Sequence, residues 1–186
     1  PNFTNAYAHQ WNASVEHEFR NIWLVRASYM GSRSRHLMAT REINAAVYTT
    51  GASTGNINQR RPFYPDFTSI GQMEATGSSD YQGVALGVER RLSKGYSVKA
   101  SYTYGKSYDV NSAAAAAGVS GLYTNPNDPM YDWGRSDFDR RHRFVGTVVW
   151  ALPALSTAHP IVRYTLGDWQ ASAIVVVESG TPFTVV

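Results

Sequence analysis

Between residues 84 and 104 apolar and polar positions alternate along two arms. Val84, Leu86, Val88 and Leu92 share one face of the first arm, with Ala85, Gly87 and Glu89 on the other. The second arm sets Tyr96, Val98, Ala100, Tyr102 and Tyr104 against Ser97, Lys99, Ser101 and Thr103. Ser93-Lys94-Gly95 between them reads as a three-residue hairpin loop, with glycine where a left-handed residue is needed. Centring the pairing on Lys94 opposes Leu92 to Tyr96, Val88 to Ala100, Leu86 to Tyr102, Val84 to Tyr104 and Glu89 to Lys99. One face is then apolar and aromatic, and the other is small, polar or ion-paired.

The same period-two pattern predicts six strands, at about 7–18, 22–31, 80–92, 96–108, 141–152 and 168–179. In the first strand His9, Trp11, Ala13, Val15 and His17 oppose Gln10, Asn12, Ser14 and Glu16. Phe19-Arg20-Asn21 is a plausible turn into the second strand, since Asn tolerates left-handed backbone. Two registers keep the same faces, so Arg26 lies opposite either Ser14 or Glu16. The connections alternate between short (19–21, 93–95) and long (32–79, 109–140), followed by one of medium length (153–167). Tight turns therefore gather at one end of the sheet and long loops at the other. Outer-membrane barrels show this asymmetry, whereas an immunoglobulin-like sandwich turns at both ends. The fold expected is all-β: antiparallel up-and-down strands of a transmembrane β-barrel, about six strands forming a partial barrel over residues 1–186.

Composition narrows the picture. Aromatic residues make up 13% of the chain and charged residues only 17%, a balance suited to a β protein with an interfacial surface. No run of apolar residues is long enough for a transmembrane helix, which leaves strands as the way across a membrane. There is no cysteine, so disulfides, thiolate metal sites and cysteine nucleophiles are excluded. The net charge of +3 is mild and acids are interspersed among the loop arginines, so no nucleic-acid partner is expected. No signal peptide is visible at the start, which marks an exported chain as a mature or internal piece.

Aromatic placement supports the membrane reading. Phe19, Trp23, Tyr96, Trp150 and Trp169 lie near the short turns, and Trp11, Tyr29, Tyr102, Tyr104 and Phe144 near the long loops. Tyr96 and Tyr104 stand roughly 19 Å apart along the normal for a strand tilted near 45°, as two girdles flanking an apolar band would. Val84, Leu86, Val88, Tyr96, Tyr102, Val148, Trp150 and Val175 are thus expected to face lipid, and Arg26, Glu89, Lys99, Ser101 and Thr103 a wet lumen. Arg90 points to the apolar side, close enough to a short turn to snorkel to the interface.

Several segments taken together, "QWNASVEHEF", "VRASYMGSRSRHL", "SSDYQGVALGVERRLSKGYSVKASYTYGKSYD", "SDFDRRHRFVGTVVWALP" and "GDWQASAIVVVESGTPFTV", resemble the barrel portion of TonB-dependent outer-membrane receptors. The subgroup most similar carries a carboxypeptidase-regulatory-like domain (the Oar-like receptors). The resemblance implies a barrel of about 22 strands around a plug, worked on by the TonB motor, that imports a metal chelate, glycan or peptide. It also implies a bacterial outer-membrane location, with outer-membrane lipid and lipopolysaccharide, the rest of the barrel and the plug as partners. No plug-like segment or motor-contacting box is visible, so the chain is expected to be a barrel fragment. The alternative is a secreted β-rich binding or fibre-forming module whose exposed strand edges pair with other copies.

Candidate chemistry is sparse, and no cofactor is expected. Asp128, Asp132, Asp137, Asp139 and His142 with Arg135, Arg140, Arg141 and Arg143 form the densest polar cluster. It reads either as a loop-to-strand junction tied by Asp–Arg pairs or as an external calcium site, although its spacing matches no EF-hand or zinc motif. Arg33, Arg35 and His36 are a solvated strand edge or a lipid-phosphate contact. Tyr123, Tyr131 and Trp133, near Asn125 and Asn127, are the candidate solute contacts, with packing within the loop as the other reading. No Ser/His/Asp arrangement, nucleophile elbow, phosphate loop or dinucleotide fingerprint occurs, so no enzymatic activity is expected.

Overall fold

The computed structural model describes residues 4–112, 123–152 and 169–183. The Ala113–Ala117 run and the 153–167 connection lie outside the described residues. The strands are β1 (Tyr7–Phe19), β2 (Trp23–Glu42), β3 (Gly71–Ser93), β4 (Tyr96–Asp109), the two-residue β5 (Gly134–Arg135), β6 (His142–Ala151) and β7 (Gln170–Glu178). They form one antiparallel sheet in the order β1-β2-β3-β4-β6-β7, with β5 paired to the end of β4. The sheet is not closed, and β1 and β7 are its edges.

The pairing carries one face across all six long strands. His17 opposes Val25, Val25 opposes Val88, Val88 opposes Ala100, Ala100 opposes Gly146, and Gly146 opposes Val175. The next row runs Val15, Ala27, Leu86, Tyr102, Phe144 and Val177. Because side chains alternate with period two, a slip of one residue anywhere would break this surface. At the first turn Phe19 opposes Trp23, so the loop is Arg20-Asn21-Ile22, one residue later than the pattern suggested. Arg20 (φ 51°) and Asn21 (φ 55°) are both left-handed there. This register places Arg26 opposite Glu16 rather than Ser14.

The hairpin at 84–104 keeps its expected register from Val84–Tyr104 to Glu89–Lys99 and departs from it only at the tip. Ser93, not Leu92, opposes Tyr96, and a bulge falls between Arg90 and Ser93. The turn is therefore the two-residue Lys94-Gly95, with φ of 51° and 85°. Left-handed backbone at both central residues matches the right-handed twist of the flanking strands, which a three-residue loop centred on Lys94 would not require.

The largest correction concerns strand length. β2 continues to Glu42 and β3 begins at Gly71, so the connection expected at 32–79 shrinks to 43–70. The missed extensions, 32–42 and 71–79, lack an apolar face. Ion pairs across the ribbon hold them: Arg33 and Arg35 to Asp80, at 3.5 and 2.6 Å, and Arg41 to Glu74 at 2.6 Å. Register shifts between Arg35 and Leu37 and between Leu37 and Ala39, with left-handed His36 (φ 57°), interrupt the regular ladder of the extension.

Candidate functional site

The sheet presents two chemically different faces. On one side the residues expected to meet lipid, Val84, Leu86, Val88, Tyr96, Tyr102, Val148, Trp150 and Val175, lie together, with Trp11, Val15, Phe19, Trp23 and Tyr29 extending the surface across β1 and β2. Many of these large side chains are exposed. Trp11 lies flat over Gly31, where an added Cβ would meet its ring at 2.4 Å, so the glycine lets the indole cover the ladder. On the opposite side Arg26, Glu89, Lys99, Ser101 and Thr103 lie together, as expected. Ion pairs lace this side: Arg26–Glu16 at 2.6 Å, Arg91–Glu18 at 2.9 Å and Lys99–Glu89 at 3.5 Å. The polarity fades toward β7, where Val145, Val149, Ile174 and Val176 occupy the same side.

Arg90 does not snorkel. It is only 6% exposed, and its guanidinium donates to the carbonyls of Ser93 and Tyr96 at the bulge. It also lies 3.6 Å from the centroid of the Tyr96 ring and 5.9 Å from that of Trp23. Two carbonyls at the bulged turn and two aromatic rings thus satisfy the charge on the apolar face without its reaching water.

At the long-loop end the chain folds a small cap over the sheet. Ala39, Val110 and Tyr123 form its apolar centre, with Trp133 packed against them. Tyr123 is 4% exposed and shares a hydrogen bond with Thr76 (3.0 Å); burial pushes its phenol above the usual pKa. Its side chain is a packing element, so little of it is left for a solute. Trp133 is half-buried and stacks on Tyr108, whereas Tyr131 is exposed.

Two buried carboxylates tie the cap down. Asp139, 1% exposed, accepts hydrogen bonds from Arg135 (2.7 Å), Arg141 (3.1 Å) and the Ser107 backbone N–H (3.0 Å). Burial alone raises its pKa, but these donors outweigh burial and hold it below the ordinary value. The junction reading of the 128–143 cluster therefore holds. The remaining groups scatter: Asp128 caps Met130 N–H, Asp132 accepts from Thr124 N–H, and His142 meets the Tyr102 hydroxyl at 2.7 Å. Among the described residues no group of three His, Asp or Glu is placed to hold a metal.

The second carboxylate, Glu42, went unnoticed in the sequence. It accepts from the backbone N–H groups of Asn44 (2.8 Å) and Ile70 (2.9 Å) and from the Ser69 hydroxyl, and it pairs with Arg61 at 3.1 Å. Burial pushes its pKa up and these bonds pull it down further, leaving it lowered overall. Fully buried Asn44 completes the knot by donating to the Phe67 and Thr68 carbonyls and accepting from Phe63 N–H. No local pattern marks Glu42, because Ser32 to Glu42 carries no apolar alternation and its partners lie up to 28 residues away.

Arg33, Arg35 and His36 belong to the paired ribbon, so they are not a strand edge. Arg35 grips Asp80 with two hydrogen bonds (2.6 and 3.3 Å), and the His36 ring lies 3.3 Å from the Ala75 carbonyl.

Comparison with curated proteins and with solved structures returns no match. The family model described as "Outer membrane beta barrel domain" matches residues 1–186. With its continuous apolar face and its short-turn and long-loop ends, the chain belongs to the outer membrane β-barrel domain family and is a wall segment of a barrel in the bacterial outer membrane.

Proposed function

We propose that this wall segment belongs to a TonB-dependent transporter that imports a bulky solute such as a metal chelate, glycan or peptide, a role without catalysis. The observation that carries the reading is the contrast between faces. A largely apolar surface that spans six strands suits lipid, and a ladder of ion pairs on the reverse side suits a hydrated interior. In this reading Val84, Leu86, Val88, Tyr96, Tyr102, Val148, Trp150 and Val175 meet lipid. Arg26, Glu89, Lys99, Ser101 and Thr103 face a plug or the passing solute, and the cap sits at the external mouth with Tyr131 exposed on it. The choice of TonB-driven transport rests on the receptor-like segments of the sequence. Outer-membrane family membership favours this wall role over a secreted fibre.

The test is solute depletion from the medium by cells with and without the protein, repeated after discharge of the proton-motive force. Energy-dependent depletion of a compound supports the proposal. Depletion that persists after discharge marks a passive pore and overturns it, as does the absence of any difference. Face assignment is checked separately with Val88→Cys and Ser101→Cys. An aqueous maleimide should label the second and spare the first.

A further inference from the structure

A cavity of about 420 Å³ lies at the long-loop end of the sheet, on the side that carries Arg26, Glu89 and Lys99. Its floor continues the polar side of the β3–β4 ladder: beyond Tyr81 and Ser107 the next row is Ser79 and Asp109. The turn Ser136–Asp139, closed by the Asp139 N–H on the Ser136 carbonyl (2.9 Å), walls another side and contributes Phe138. β2 contributes Leu37. The polar groups of this lining have bonding capacity to spare. Ser79 and Ser107 are half-buried, and among the described residues their hydroxyls make no hydrogen bond. Asp109 accepts from the Ser112 hydroxyl at 2.9 Å on both oxygens, and among the described residues no cation lies within salt-bridge distance of it.

We propose that this cavity binds a neutral glycan, with Ser79, Ser107 and Asp109 taking its hydroxyl groups and Leu37 and Phe138 its C–H surface. A serine hydroxyl both donates and accepts, and a carboxylate accepts, which matches a ligand whose own groups do both. The volume falls within the range of small-ligand sites, about 300–1,000 Å³, and the lining mixes apolar walls with a few polar groups as such sites do. Charge decides against an anion. Beside Ser107, the buried Asp139 carboxylate takes both Arg135 (2.7 Å) and Arg141 (3.1 Å). With Asp109 these make two cations and two carboxylates, and exposed Asp137 adds another acid on the same turn. Arg33 and Arg35 with Asp80, and Lys106, stand on the reverse side of the sheet. An anionic chelate would therefore meet an uncompensated carboxylate at Asp109, whereas a neutral polyol would not. A peptide would seek a free strand edge, and here the β3 backbone is paired to β2 and β4. The proposal rests on the transporter reading for this side's access to solute, and it narrows that solute to a glycan.

The probe is an array of neutral and uronic-acid oligosaccharides incubated with the purified, folded protein in detergent, followed by calorimetry on the strongest neutral binder. Neutral glycans should bind, and their uronic-acid counterparts should bind about tenfold more weakly or worse. The S79A/S107A double variant removes hydroxyls that bond nothing among the described residues, so the ladder stays intact while neutral-glycan affinity should fall roughly tenfold. Asp109→Asn should narrow the discrimination against uronic-acid glycans. Ser97→Ala, on the same side near the short turn, should change neither affinity. Absence of neutral-glycan binding by the unmodified protein overturns the proposal without any variant having to fold, as does tighter binding of the uronic-acid set. Unchanged affinity in the double variant, or an equal loss in Ser97→Ala, also overturns it. If the neutral glycan binds as expected but its depletion by cells survives discharge of the proton-motive force, the transporter reading fails and the cavity's assignment stands. If another compound shows energy-dependent depletion and no neutral glycan binds, only the cavity's assignment fails.

Discussion

From Trp23 to Met30 and from Val84 to Glu89, β2 and β3 bury no side chain within the chain, although one face of that stretch is almost wholly apolar. Farther along β2, Ala39 and Glu42 are buried, and the cap they enter also buries Asn44, Tyr123, Ser136 and Asp139. One ribbon is thus stabilised in two ways. In its lower part the backbone ladder satisfies every peptide group and the apolar side chains need an external solvent of matching polarity, which lipid supplies. In its upper part, charged and amide side chains hold irregular backbone by direct hydrogen bonds, which aqueous surroundings permit and hydrocarbon would penalise. Arg90 is the exception in the lower part, and it is tolerated because a bulge and two aromatic rings enclose it.

The comparison is broken most strongly at the centre of the cap. Tyr123→Ala should cost about 3–5 kcal/mol locally by emptying a buried aromatic site, whereas Tyr123→Phe should cost only about 1 kcal/mol for the Thr76 hydrogen bond. Hydrogen exchange should show lost protection around Val110 and Thr76 while β3–β4 pairing near Val88 stays protected. Loss of protection in both regions would mean that cap and sheet form one cooperative unit.

In the lower part, Val88→Arg or Val175→Arg should cost roughly 2–4 kcal/mol of barrel stability in bilayers, against about 0–1 kcal/mol for Ser101→Arg or Ser172→Arg. Denaturant titration in phospholipid vesicles measures both, and equal costs would remove the distinction between faces.

Acid should separate the two regions by a smaller margin. Asp139 and Glu42 both have folded pKa values below their ordinary values of 3.8 and 4.5. The stability they contribute is fully present above those ordinary values and is lost as pH falls through the lower folded ones. Proteolysis or hydrogen exchange near pH 3 should therefore open 43–70 and 123–141 before the strands separate. A cap equally protected at pH 3 and pH 7 would contradict the role given to these carboxylates. The smallest effect belongs to the exposed Lys99–Glu89 pair. Glu89→Gln should change stability by less than about 1 kcal/mol in the same vesicle assay, since solvent screens both charges.

The strand cores were legible because period-two alternation is a local property. Val84 to Lys99 could be paired from side-chain identity alone, and the long reach of β6 and β7 followed the same rule. The extensions of β2 and β3 were not legible, because Ser32 to Glu42 alternates nothing apolar and its pairing depends on cations meeting Asp80 and Glu74 on a strand some forty residues later. The same limit applies to the solute-contact candidates. Tyr123, Tyr131 and Trp133 look alike in sequence, yet the fold buries the first, stacks the third and exposes only the second.

The sequence by itself determined the two-faced strands, their up-and-down order and the asymmetry of turns and loops, since each follows from periodicity and turn chemistry within a few residues. Only the tertiary structure decided that Arg26 meets Glu16, that the Lys94-Gly95 turn has two residues with a bulge behind it, and that Glu42, Asn44 and Asp139 anchor a folded cap. Those outcomes depend on which distant groups meet once the ladder is in register, where competing registers and partners differ by a few hydrogen bonds rather than by the placement of an entire apolar face.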